Sequence, residues 1–139
     1  MKEVRATLER DLFAKHLGIE LLSVEPGRAS ARMALQLFHR NGLGGVQGGA
    51  IFTLADFTFA AAANSHGPIA VAVNVSITFM KAVTAGTLLA EARELALNPK
   101  LGTYTVDVKD EHGNLVAVFQ GLAYRKSEPA VKPSGAGHG

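Results

Sequence analysis

The sequence predicts an α+β domain in which a long central helix is wrapped by a curved antiparallel sheet of about six strands. Three observations carry that expectation. The run from Gln47 to Asn64 is rich in alanine, leucine, isoleucine and phenylalanine, has no proline, and is apolar on every side of a helical wheel. The segments before and after it alternate apolar and polar residues and are separated by turn-forming residues. No series of strands and crossover helices is present, which argues against a doubly wound nucleotide-binding fold.

Taken in order, residues 3–17 read as a short amphipathic helix with Val4, Leu8, Leu12 and Leu17 on one side, broken by Gly18. Ile19 to Glu25 reads as a strand, Pro26-Gly27 as a turn, and Arg28 to Phe38 as the second strand of a hairpin. A glycine-rich turn from Asn41 then opens into the central helix. The Ala60 to Ala63 run favours a helix over a strand, because alanine loses no side-chain entropy and strands prefer branched or aromatic residues. At about 27 Å this helix is too short and too interrupted for a membrane span. Gly67-Pro68 closes it. Ile69 to Phe79 has period two, placing Ile69, Val71, Val73, Val75, Ile77 and Phe79 on one face and Asn74, Ser76 and Thr78 on the other. Leu88 to Leu97, Tyr104 to Asp110 and Leu115 to Tyr124 complete the strands, with Asn98 to Gly102 and Asp110 to Asn114 as turns. The division expected is an N-terminal helix (1–17), a main domain (18–126) and a disordered tail (127–139).

Composition narrows the function. With 139 residues, 47% of them hydrophobic, the chain can bury a sizeable single core. The absence of cysteine excludes disulfides and thiolate metal sites. The N-terminus alternates charges and lacks the apolar stretch of a signal peptide, so a cytoplasmic location is expected. A net charge of +2 without a basic block supports neither nucleic-acid nor membrane-surface binding. His16, His39, His66, His112 and His138 show no metal-ligand spacing, so no metal is expected. No nucleophile elbow is present either.

Asp56 is the sole ionisable group between Arg40 and His66, and it sits in the apolar helix. Burying a carboxylate there is costly unless a partner satisfies it or chemistry uses it, and the structural alternative is a hydroxyl such as Thr53 or a partner subunit. The glycines before the helix match neither the P-loop, which needs a following lysine, nor the dinucleotide fingerprint. They do allow close backbone approach to a ligand beside the free N–H groups of a helix start, a site suited to the oxyanion of an acyl-transfer intermediate. Gly48 and Asp56 are eight residues apart, about 12 Å along one helix, whereas groups acting on one carbonyl must come within about 3–3.5 Å. If both act on one carbonyl, the helix start belongs to one subunit and the acid to another, as a two-fold dimer with antiparallel helices would allow.

The residues from Asn41 to about Tyr124 resemble the hotdog-fold acyl-CoA thioesterases, in particular the phenylacetate-pathway, phenylacetyl-CoA thioesterase-like branch. That family's signature is an Asn, a His-Gly-Gly six residues later, and an Asp eight residues after the first glycine. Asn41, Gly48, Gly49 and Asp56 hold those places. Phe59-Ala-Ala-Ala-Ala-Asn-Ser-His-Gly67 and Ile77-Thr-Phe-Met-Lys-Ala-Val-Thr-Ala-Gly86 are also similar. The resemblance implies a helix enclosed by the sheet, active sites at a homodimer interface, and pairs of dimers forming tetramers. It implies that the Gly48 N–H polarises the thioester carbonyl, that Asp56 of the partner subunit attacks it or activates water, and that Asn41 orients water or substrate. No cofactor is implied beyond the coenzyme A carried by the substrate. Gln47 stands where the family has its histidine; it can donate a hydrogen bond but cannot take a proton near neutral pH. Some members place a serine or threonine near the acid, and Asn74 and Ser76 fit by strand face. Lys81, Lys100, Arg125 and Lys126 are the basic residues considered for the coenzyme phosphates.

The expected activity is therefore hydrolysis of an aryl- or medium-chain acyl-CoA. The rivals are a non-catalytic acyl-CoA-binding protein, which Gln47 favours, and a hotdog dehydratase or hydratase, which would need a histidine at the site.

Overall fold

The computed structural model describes residues 1–129. Its elements are α1 (Lys2–Glu9), α2 (Leu12–Leu17), β1 (Ile19–Glu25), β2 (Arg28–Ala34), a 3₁₀ turn (Leu37–His39), α3 (Gly48–Ala63), β3 (Pro68–Phe79), β4 (Thr87–Leu97), β5 (Leu101–Lys109) and β6 (Leu115–Pro129). The six strands form one antiparallel sheet in the order β1-β2-β4-β5-β6-β3. The sheet curves around α3, which touches every strand. This is the hotdog arrangement.

α3 is enclosed because its sequence offers no polar stripe. Leu54, Ala55, Ala61 and Ala62 are fully buried, and Phe59 packs edge-on against Tyr104 and at a tilt against Phe119. The alanines let the strands close in, and the two phenylalanines of that cluster fill the space left over. At the far end of α3, Ser65 Oγ accepts from the Gly27 N–H, and His66 and the Tyr104 hydroxyl both bond Glu94 Oε1, at 2.7 and 2.8 Å. Burial pushes the Glu94 carboxyl up, but these two hydrogen bonds and the nearby His66 and Arg125 charges outweigh it and hold it below the usual range.

Five elements differ from the sequence expectation. The N-terminal helix is two helices, because the Asp11 carboxylate accepts from Ala14 N–H at 3.0 Å and starts α2 afresh. β2 stops at Ala34, and the chain turns at Leu37–His39, where the His39 ring takes the Gln36 N–H from any strand ladder. β5 begins at Leu101, since Asn98 Oδ1 accepts from the N–H groups of Lys100 and Leu101 and makes the turn tight. In β3 the ladder slips between Ala72 and Asn74, so Val73 is an extra residue. The bulge changes the phase: Ala70 and Ala72 before it, and Val75, Ile77 and Phe79 after it, pair with positions on the face turned to α3. Val71 and Val73 are instead 39% and 56% exposed. β6 continues to Pro129, so Ser127 to Pro129 extend a strand where a tail was expected. The rest of that tail, 130–139, lies outside the described residues.

Candidate active site

The loop that precedes α3 is built by backbone bonds. Asn41 N–H donates to Gly45 O at 2.7 Å, Gly44 N–H to Asn41 O at 3.1 Å, and Gln47 N–H to His39 O at 2.7 Å. Gly44 has φ +92°, a conformation that glycine adopts without a Cβ penalty. Val46 N–H donates to Val83 O at 2.9 Å and anchors the loop on the segment after β3. Gln47 is the N-cap of α3, extended at φ −61° and ψ 130°, with an exposed side chain that caps nothing. Gly48 and Gly49 follow as the first helical residues, and among the described residues their N–H groups donate to no acceptor.

Gly48 lines a pocket of about 320 Å³ with Val46, Ile51, Phe79, Met80 and Val83, and with Lys81 at its rim. A Cβ on Gly48 would lie 3.1 Å from Phe79 Cζ, so glycine lets the aromatic ring close over the helix start. The pocket is apolar apart from the free amide edge and Lys81, whose ammonium pairs with Asp110. Phe79, Met80 and Val83 were not foreseen as lining residues; the signal was their place at the end of, and just after, the strand that follows the helix.

Asp56 lies two turns further along α3, half-buried between the buried Ala55 and Phe57. No side chain or backbone group among the described residues bonds to its carboxylate. Thr53 does not, because its hydroxyl donates to Gly49 O at 2.8 Å. Burial pushes the Asp56 carboxyl above its ordinary value, and the like charge of Asp11 pushes in the same direction. Asp11 is held there by its own work as the α2 cap. A second cavity, about 430 Å³, lies between the N-terminal helices, β1 and Phe57; Glu9, Asp11 and Glu20 outnumber Lys15 in its lining, an ill match for a phosphorylated ligand.

Of the residues singled out in the sequence, Asn41, Gln47, Gly48 and Gly49 gather at the start of α3, whereas Asp56 stands about 12 Å along the axis. The Asn41 carboxamide oxygen is committed to the Leu43 N–H at 2.9 Å, which leaves its NH₂ to meet water or substrate. Asn74 and Ser76 do not join the group. They are exposed and alternate with the helix-facing Val75 and Ile77, so both lie on the outer face of the sheet. Of the basic residues, Arg125 donates to Asn98 O at 2.9 Å, Lys100 and Lys126 are exposed, and Lys81 alone borders the Gly48 pocket.

Known proteins match this arrangement. The sequence model of the family described as Thioesterase superfamily matches residues 43–117, from the glycine turn into β6. The acyl-coenzyme A thioesterase PaaI of Escherichia coli is 35% identical over 125 residues, 89% of this chain and 89% of that protein. The structure of the E. coli PaaI protein from the phenylacetic acid degradation operon superposes with a TM-score of 0.89 at 34% identity, covering 92% of this chain and 94% of that one. A mutant of the phenylacetic acid degradation protein PaaI from Thermus thermophilus gives a TM-score of 0.80 at 36% identity, covering 84% and 100%.

Proposed function

This chain belongs to the thioesterase superfamily and is a thioester hydrolase, and from that premise we propose that it hydrolyses aryl- or medium-chain acyl-CoA thioesters to the free acid and coenzyme A. The observation that carries the mechanism is the pairing of an unpartnered, half-buried Asp56 with a helix start whose Gly48 has a free N–H and lines a largely apolar pocket.

In this mechanism the acyl group enters the Gly48 pocket with its carbonyl oxygen on the Gly48 N–H. Asp56 of the partner subunit takes a proton from water as the water oxygen bonds the carbonyl carbon. The resulting oxyanion is stabilised by the Gly48 amide and by the positive end of α3. Collapse breaks the C–S bond, and the departing thiolate recovers the proton from Asp56. Asn41 orients the water through its NH₂, Gln47 donates to the thioester, and Gly49 leaves room for the substrate. Lys81, on the pocket rim, meets a coenzyme phosphate. The chemistry needs no cofactor beyond the coenzyme in the substrate.

A homodimer supplies the second half of each site. β3 supports it: an edge strand of 12 residues with exposed Val71 and Val73 is a surface that soluble proteins seldom leave unpaired. Hydrolysis of acyl-CoAs graded in length and aromaticity, by wild type and by Asp56→Ala and Asp56→Asn, tests the reading. Turnover that survives both substitutions would reject it.

A further inference from the structure

His39 is the one histidine of the described residues that is fully buried, at 1% exposure, and the proposed chemistry does not use it. Both ring nitrogens are occupied. Nδ1 accepts from the Gln36 N–H at 2.9 Å, and Nε2 lies 2.8 Å from Leu17 O. A carbonyl only accepts, so Nε2 must carry the hydrogen and the ring is the neutral Nε2–H tautomer. The Leu17 carbonyl ends α2 and would otherwise be an orphan of the helix terminus.

The same residue's main-chain oxygen accepts the Gln47 N–H at 2.7 Å. Gln47 occupies the N-cap position of α3, and the next amide is that of Gly48. A continuous set of bonds thus runs from the end of α2 through the imidazole, the 3₁₀ turn and the His39 carbonyl to the amide edge at the start of α3. The loop between them, Arg40 to Val46, is glycine-rich and mostly solvent-facing, and apart from Val46, which is buried and bonded to Val83, it has little packing with which to set that edge. We propose that His39 is a positioning residue for thioester hydrolysis, its ring fixing the turn whose carbonyl holds the Gln47 and Gly48 amides in register with the substrate carbonyl. This rests on the reading of Gly48 as oxyanion donor.

The two nitrogens can be separated. In His39→Asn the side-chain oxygen falls near the place of Nδ1 and keeps the Gln36 bond, which shapes the turn. In His39→Gln the side-chain NH₂ reaches toward Leu17 and the Gln36 bond is lost. His39→Ala loses both. An amide donor that bonds the developing oxyanion much more strongly than the neutral carbonyl of the bound substrate acts mainly on kcat and little on KM. His39→Ala is therefore expected to lower kcat about 10- to 100-fold, in keeping with a misplaced catalytic group, with KM within twofold of wild type. His39→Asn should recover most of that loss and His39→Gln little of it. Hydrogen exchange gives a readout that needs no turnover: the Gln47 amide should exchange faster in the Ala and Gln variants and near the wild-type rate in Asn, while Val106 and Val108 in β5 stay protected.

Wild-type kcat in His39→Ala, a loss confined to KM, or unchanged exchange at Gln47 would overturn the proposal. If His39→Ala does not fold, the Asn and Gln variants decide: Gln slower than Asn supports it, and equality or the reverse order overturns it. A wild-type protein that hydrolyses no thioester would instead count against the proposed function, with the exchange data still reporting on His39.

Discussion

In the proposed mechanism Asp56 trades stability for chemistry. Its carboxyl is pushed up by burial and then by Asp11. Just above the ordinary value of 3.8, the folded chain keeps a proton that the unfolded chain has lost. Stability therefore falls as pH rises through that window, and the deficit persists at neutral pH. Asp56→Asn keeps the shape and removes the charge, so at pH 7 its Tm should exceed that of wild type while turnover drops about 10²- to 10⁴-fold, the span expected for loss of a general base. Calorimetry and a hydrolysis assay on the same sample check both halves. Asp11 offers a finer test, because Asn at that position still caps α2 through its oxygen but carries no charge. Removing a like charge lowers the Asp56 pKa, so the acid limb of the kcat/KM profile should move to lower pH in Asp11→Asn. An unmoved limb would mean that another group controls it.

At the level of elements, α3 and the alternation around it were legible because they depend on local composition and period. A charge in an apolar helix and a glycine turn at its start are also visible in one dimension, which is how Asp56 and Gly48 stood out as candidates, whereas Asn41 was singled out by the family resemblance. The bulge at Val73 was not legible, because a one-residue slip depends on the register with β6 and leaves no mark in the alternation of Ile69 to Phe79. It moved Val71 and Val73 from the core to the surface. The helix break at Asp11 and the turn at His39 were hidden for a related reason: each follows from a single side chain bonding nearby backbone, which periodicity averages away. Gly121 looked like an ordinary strand residue. A Cβ there would lie 2.7 to 3.0 Å from three atoms of the Phe59 ring, and that ring is held by Tyr104 and Phe119. Gly121→Ala should therefore destabilise the fold by about 1–3 kcal/mol through overpacking, measured as a lowered urea midpoint at unchanged m-value.

The whole molecule poses a different question, because one protomer holds both halves of the proposed site too far apart to use together. Asp56→Asn removes the base and leaves the amide. Gly48→Pro does the reverse: proline is well tolerated at the first position of a helix and deletes only the N–H. The residue before it, Gln47, already has the extended backbone that a following proline demands, and the half-exposed Phe79 ring has only a few tenths of an ångström to yield. Each variant alone should be inactive. In a mixed dimer, the Asp56→Asn chain supplies an intact Gly48 and the Gly48→Pro chain an intact Asp56, so one of the two sites is whole. Refolded together in equal amounts, with half the dimers mixed, the variants should regain about a quarter of wild-type turnover. A mixture that stays inactive, although both variants fold and exchange subunits, would place amide and acid in the same chain and break the geometric case for a shared site.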